Sequence, residues 1–144
     1  MSMESYTAVG RKSITMPAEI KEKWLSALRS GEYQQGFGSL CDGRGGYCCL
    51  GVLEMVVSGR VEDDALAFEP KFASFPSVEW LQEHNILFQR QSGDLANGTL
   101  RAPMLFLREE RTGYEGMFNA AHVNDAGASF EQMADFLEAS IEST

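Results

Sequence analysis

GRGGYCCLGVLEMVV, residues Gly43 to Val57, is the stretch whose reading decides the fold. Three glycines around one arginine run into a tyrosine and two adjacent cysteines, and an almost wholly apolar segment follows. From Tyr47 onward the small or polar positions are Gly51, Glu54 and Ser58, at steps of four, three and four, with apolar residues between. That spacing is helical and does not alternate, so it predicts a largely buried central helix over Cys49–Ser58, with one narrow wet stripe and a stop at Gly59. The cysteines then fall where a strand enters the core helix, a place where small thiols pack well.

Upstream, GFGSL (Gly36–Leu40) and GGYCC flank the loop CDGRGG, rich in residues that tolerate positive φ, and a short β-hairpin is expected. Before it, Ile20, Trp24 and Leu28 recur at i, i+4, i+8 with Leu25 beside them. They predict an amphipathic helix capped by Thr15, with Pro17 in its first turn and Gly31 at its end. Residues 1–14 are polar and aperiodic and are expected to form a flexible arm ahead of a single domain over 15–144.

Downstream, RVEDDALAFEPKFASF is an acidic connection, and FPSVEWLQEHN is a short helix begun by Ser74 or Pro76 and ended near Asn85. Two β-prone pieces, Ile86–Arg90 and Thr99–Leu107, are joined through a turn at Asn97-Gly98 and are expected to extend the hairpin's sheet. A helix over Phe118–Asn124 breaks at DAGAS. Ser129 caps a second helix with Gln132 three residues on, as in a capping box. The expected fold class is α+β: a single compact domain with a small antiparallel sheet of β-hairpins, packed against the buried central helix and a C-terminal helix-turn-helix-like pair.

Composition narrows the function. The 144 residues carry 12 Lys and Arg against 21 Asp and Glu, a formal charge of -9, and the basic residues do not cluster. Such a field repels nucleic acid, and Glu131, Asp135, Glu138 and Glu142 would face phosphates from the would-be recognition helix, so direct readout of nucleic acid is not expected. No apolar run is long enough for a membrane span and no secretory signal stands at the N-terminus, which leads to a cytoplasmic expectation. Cys41, Cys48 and Cys49 form an odd set with two neighbours, read as reduced thiols.

The chemistry of the motifs excludes more. The glycine loop lacks the Gly-Lys-Ser/Thr of a P-loop, and no pair of carboxylates is spaced on one element as a glycosidase needs. The cysteines lack the C-x-x-C pair of a zinc site, so no metal and no cofactor are expected. A thiol enzyme would pair Cys48 or Cys49 with His84 or His122 as base and Asp125 as orienter. Cysteine beside an apolar helix is, however, usually inert core. Backbone N–H groups before a helix, beside Arg44, could instead hold an anion. This gives a candidate ligand-binding set of Gly36, Phe37, Gly38, Arg44, Gly45, Gly46 and Tyr47, to which Asn124 and Asp125 are added. The competing reading for the loop is a turn whose glycines only permit positive φ, and for Asn124 and Asp125 the closing of a helix.

EIKEKWLSALRSGEYQQGFGSL, YCCLGVLEMV and VNDAGASFEQMADFLEASI together resemble a largely uncharacterised family of small proteins encoded by bacteriophages, prophages and bacteria. The family pattern is W-x-x-A-L-R-S-G-x-Y-x-Q-G, Y-C-C-L-G-V-L and N-D-x-G-x-S-F-x-x-[IM]-A. It is met here by Trp24, Leu28, Gly31, Tyr33, Gly36, Gly38, Tyr47, Cys48, Cys49, Leu50, Gly51, Asn124, Asp125, Gly127, Ser129, Phe130 and Ala134, while 86–116 matches nothing in it. The resemblance implies a phage-type accessory protein of the bacterial host cytoplasm, a class that often opposes host defence. Three modes of action are open. One is sequestration of a small anionic host molecule such as a nucleotide immune signal, which small domains commonly perform as homo-oligomers. Another is masking of a basic host protein by an acidic, anti-CRISPR-like inhibitor, and the last is thiol catalysis.

Overall fold

The computed structural model describes residues 3–61, 75–89 and 101–144. The chain is an α+β domain built around the helix α2 (Cys49–Ser58), which has the bounds its sequence predicts. It ends at Gly59, whose φ of 77° lets its N–H reach back to Met55 O. Cys49 to Glu54 are all buried. The expected wet stripe is therefore absent: Gly51 and Glu54 lie inside, and exposure begins only at Ser58. The reason at Gly51 is close approach of backbone, since a Cβ there would overlap the carbonyl oxygen of Leu40.

Helix α1 (Ala18–Ser30) packs on α2 and buries Trp24, Leu25 and Leu28, and Gly31 closes it in the left-handed conformation. The indole Nε1 of Trp24 donates to Cys49 O at 2.8 Å, joining the two helices by a buried hydrogen bond. The start of α1 differs from expectation. Pro17 is the N-cap, and Thr15 lies in the strand β2 (Ile14–Met16), where its backbone is committed to pairing.

Residues expected to form a flexible arm contribute β1 (Tyr6–Ala8), which pairs antiparallel with β6 (Met104–Glu109) in the register Tyr6↔Glu109, Thr7↔Arg108 and Ala8↔Leu107. On the other side of β6 lies β7 (Glu115–Asn119), so the sheet order is β1-β6-β7. Met3 is 4% exposed, and Tyr6 meets Phe118 edge to face with centroids 5.7 Å apart. A three-residue strand is too short to show periodicity, which is why these residues read as an arm.

The second sheet has the order β5-β2-β8. β2 pairs antiparallel with β5 (Leu87–Phe88) and parallel with β8 (Ile141–Ser143). The two β-prone pieces expected to extend the glycine-loop hairpin's sheet thus belong to two other sheets, and the Asn97-Gly98 turn lies outside the described residues. The glycine region also departs from a simple hairpin. β3 is Gln34–Gln35, ahead of the expected Gly36–Leu40, and it runs parallel to β4 (Gly46–Tyr47). Only the Cys41↔Tyr47 bridge is antiparallel. The chain leaves β3, loops through Gly38, and turns back at 42–46 to bring Tyr47 between the two.

Ser77 caps α3 (Val78–Glu83), accepting from Trp80 N at 3.1 Å, and α3 buries Trp80 and Leu81 before Asn85 turns the chain with φ 59°. The penultimate helix α4 (Ala120–Asp125) begins later than predicted because Phe118 belongs to β7 and Asn119 is the cap. Ser129 caps α5 (Phe130–Ser140) as expected, accepting from Gln132 N at 3.1 Å. The Gln132 side chain also donates through Nε2 to Met3 O and holds the N-terminal segment down. Arg29 of α1 donates to Asp135 at 2.9 Å and Glu138 at 3.0 Å, fastening α1 to α5.

Candidate functional site

The glycine turn is organised by its own aspartate. Asp42 Oδ1 accepts from Arg44 N at 2.7 Å and Gly46 N at 2.9 Å, while Gly43 and Gly45 supply the positive φ, 76° and 90°, that curls the backbone around it. These N–H bonds, first Arg44 and then Gly46, hold the Asp42 carboxyl below the ordinary carboxylate range. The cradle foreseen for an external anion is thus already occupied by a side-chain carboxylate. Arg44 stands exposed at the tip, and Tyr47 stacks edge to face on Tyr33 at 5.7 Å. Phe37 is 55% exposed.

Asn124 and Asp125 do more than close α4. Asn124 is fully buried; its Nδ2 donates to Gly36 O at 3.0 Å and its Oδ1 accepts from Gln35 Nε2 at 2.9 Å. The Gln35 amide also reaches Ala128 O at 2.7 Å. Asp125 Oδ1 accepts from Gly38 N at 3.0 Å and from Asn124 Nδ2 at 3.2 Å. The glycine loop and the α4–α5 turn are therefore one hydrogen-bonded unit, and two groups of candidate residues separated in sequence are brought together.

Beside this unit lies a cleft of about 190 Å³ lined by Gly38, Ser39, Cys48, Phe75, Ala121, His122 and Asp125. Of the candidate ligand residues, Gly38 and Asp125 line it. Gly36 and Asn124 are buried in the hydrogen-bonded unit beside it, and neither Arg44 nor Phe37 is among its lining residues. Sequence reasoning missed Ser39, Phe75 and Ala121 and weighed His122 only as a base. The three-residue spacing of His122 and Asp125, one turn of helix, is the signal that could have found the pair. Both are exposed. Asp125 Oδ2 and the His122 ring have no hydrogen-bond partner among the described residues.

Cys48 touches the cleft from the interior. Burial pushes its thiol up to about 11, against the pull of the Gly51 and Leu50 N–H groups, and burial likewise raises Cys49 well above the ordinary thiol range. At neutral pH both are protonated thiols, poor nucleophiles. Among the described residues no group of three or more His, Cys, Asp or Glu is placed to hold a metal ion, and no helix is long and apolar enough to cross a membrane.

The fold and cleft define a small α+β domain whose glycine loop is bound to a C-terminal helix pair. The chain belongs to the family described as Domain of unknown function (DUF8296), which matches residues 16–141. No curated protein and no solved structure matches it.

Proposed function

We propose that this is a phage-type accessory protein of the bacterial cytoplasm that opposes host defence by binding, without chemistry, a small host molecule of the nucleotide class. Its seat is the cleft between the glycine loop and α4. The observation that supports this most is the pair His122 and Asp125, one turn apart on the cleft wall, with the His122 ring and Asp125 Oδ2 unpartnered among the described residues, while Asn124 and Gly38 fix the Asp125 carboxylate in place. Phe75 adds an aromatic surface and Ser39 a hydroxyl. A cleft of about 190 Å³ is below the roughly 300–1,000 Å³ that encloses a whole drug-sized ligand, so it takes one end of the molecule.

Charge says which end. With Asp125 in the cleft and -9 on the chain, the end taken in is the hydrogen-bonding ring, its N–H edge on Asp125, and the phosphate stays toward solvent. This differs from anion capture by the Arg44 loop, whose N–H groups already serve Asp42. The protonated state of Cys48 and Cys49 favours binding over thiol catalysis.

The test is a thermal-shift screen with cyclic and linear nucleotides. A ligand at about 100 times its Kd adds about 2.7 kcal/mol, which is roughly 2–4 °C per kcal/mol for a chain near this size. The shift should be lost in Asp125→Asn and in His122→Ala. No shift with any nucleotide would remove the proposal. The acidic-inhibitor reading draws on the exposed Glu131, Asp135, Glu138 and Glu142, but Arg29 already engages two of them. It is favoured only if a basic host protein binds at low salt and is lost on converting Glu131 and Glu142 to Lys.

A further inference from the structure

We infer that Arg101 is a positioning residue that holds Phe75 in place as one wall of the cleft and couples that wall to α4 opposite; the inference uses the cleft proposed above as the binding seat. The guanidinium of Arg101 donates through Nε to Pro76 O at 2.7 Å and through Nη2 to Phe75 O at 2.8 Å. Two successive carbonyls are thus gripped by one planar fork, a geometry an ammonium group cannot reproduce. Phe75, half-buried, lines the cleft two residues before Ser77, the N-cap of α3.

The other end of the coupling is equally specific. Ala102 and Pro103, the next two residues after Arg101, are buried, and Pro103 O accepts from Ala120 N at 2.9 Å at the first residue of α4. α4 carries Ala121, His122 and Asp125 into the same cleft. One short segment, 101–103, therefore fixes both sides: its guanidinium sets the aromatic wall and its backbone sets the start of the polar one. The contact joins residues 26 positions apart in sequence, and Arg101 is not itself among the residues that line this cleft. Its effect is on where Phe75 sits, and through that on how open the cleft is, to which Cys48 also contributes a wall.

The experiment follows alkylation of the native full-length chain by iodoacetamide, with adduct formation at Cys41, Cys48 and Cys49 separated by fragmentation in the mass spectrometer. Cys41, half-exposed, is the accessible reference, and Cys49, fully buried, reports opening of the whole domain. In Arg101→Ala the Cys48 rate relative to Cys49 should rise by about tenfold, the gain in thiolate for each unit by which a thiol returns toward its free pKa. Phe75→Ala should give the same rise, and Arg101→Lys should resemble Arg101→Ala. An unchanged ratio in Arg101→Ala, an equal rise at Cys48 and Cys49, or a Phe75→Ala variant that protects Cys48 as the parent does would each overturn the inference. No nucleotide takes part in this readout. Failure of the nucleotide screen with the labelling as expected would remove the ligand class and leave the role of Arg101 standing.

Discussion

Gly51 is conspicuous for what its missing side chain admits: the Leu40 carbonyl occupies the space a Cβ would need. In an ordinary helix Gly→Ala stabilises by about 1 kcal/mol; here Gly51→Ala should instead destabilise by about 3 kcal/mol, the upper part of the overpacking range, measured by urea denaturation. A neutral result would mean the Leu40 turn moves aside freely. Small and polar residues look alike in a helical pattern, so Gly51 and Glu54 were legible as a stripe and not as the closely packed interior they form. The cysteines were legible as packing because their neighbours are apolar. Their protonation gives a pH prediction. Cys48 titrates near 11 in the fold and near 9.0 when free, so the native state holds its proton more tightly. The associated stabilisation is whole below pH 9 and is lost as pH rises toward 11, a fall of about 2–3 kcal/mol. Urea midpoints across that range should decline, and less steeply in Cys48→Ala.

Elements bounded by local chemistry were readable, and those bounded by distant partners were not. α2 and α5 have the starts and stops that Gly59 and Ser129 announce. β3, β4, β5 and β8 are two or three residues long and exist because of what lies beside them. The parallel pairing of Gln34–Gln35 with Gly46–Tyr47 needs Asn124 behind it, and nothing near either strand in sequence signals that residue. Of the seven residues that line the cleft, two, Gly38 and Asp125, were visible as ligand candidates, while Phe75 entered through a fold contact with Arg101. Replacing Asn124 by Ala leaves Gly36 O without its donor and Gln35 with a single acceptor in a buried setting. The expected cost is about 3 kcal/mol, read as a lower urea midpoint, with faster hydrogen exchange at Gly38 N as Asp125 loses its neighbour. Exchange at Gly38 unchanged from the parent would contradict the view of loop and turn as one unit.

Across the whole molecule, the sheet orders β1-β6-β7 and β5-β2-β8 interleave the two ends of the chain, and no local reading of polar residues near the N-terminus could anticipate it. Deleting residues 1–9 removes β1, the buried Met3 and the Tyr6–Phe118 contact. A flexible arm could be cut without effect; this segment should cost at least about 2 kcal/mol from apolar burial alone, seen as a lower melting temperature of the shortened chain. The parallel ladder of Ile14–Met16 with Ile141–Ser143, extended by Thr144 N on Met16 O, has a further consequence in time. During synthesis β2 emerges early and waits, unmatched on that side, until α5 and the strand after it have cleared the ribosome. Contacts this distant along the chain slow folding, so β2 stays unmatched along that edge until α5 and β8 have been made and can close the ladder.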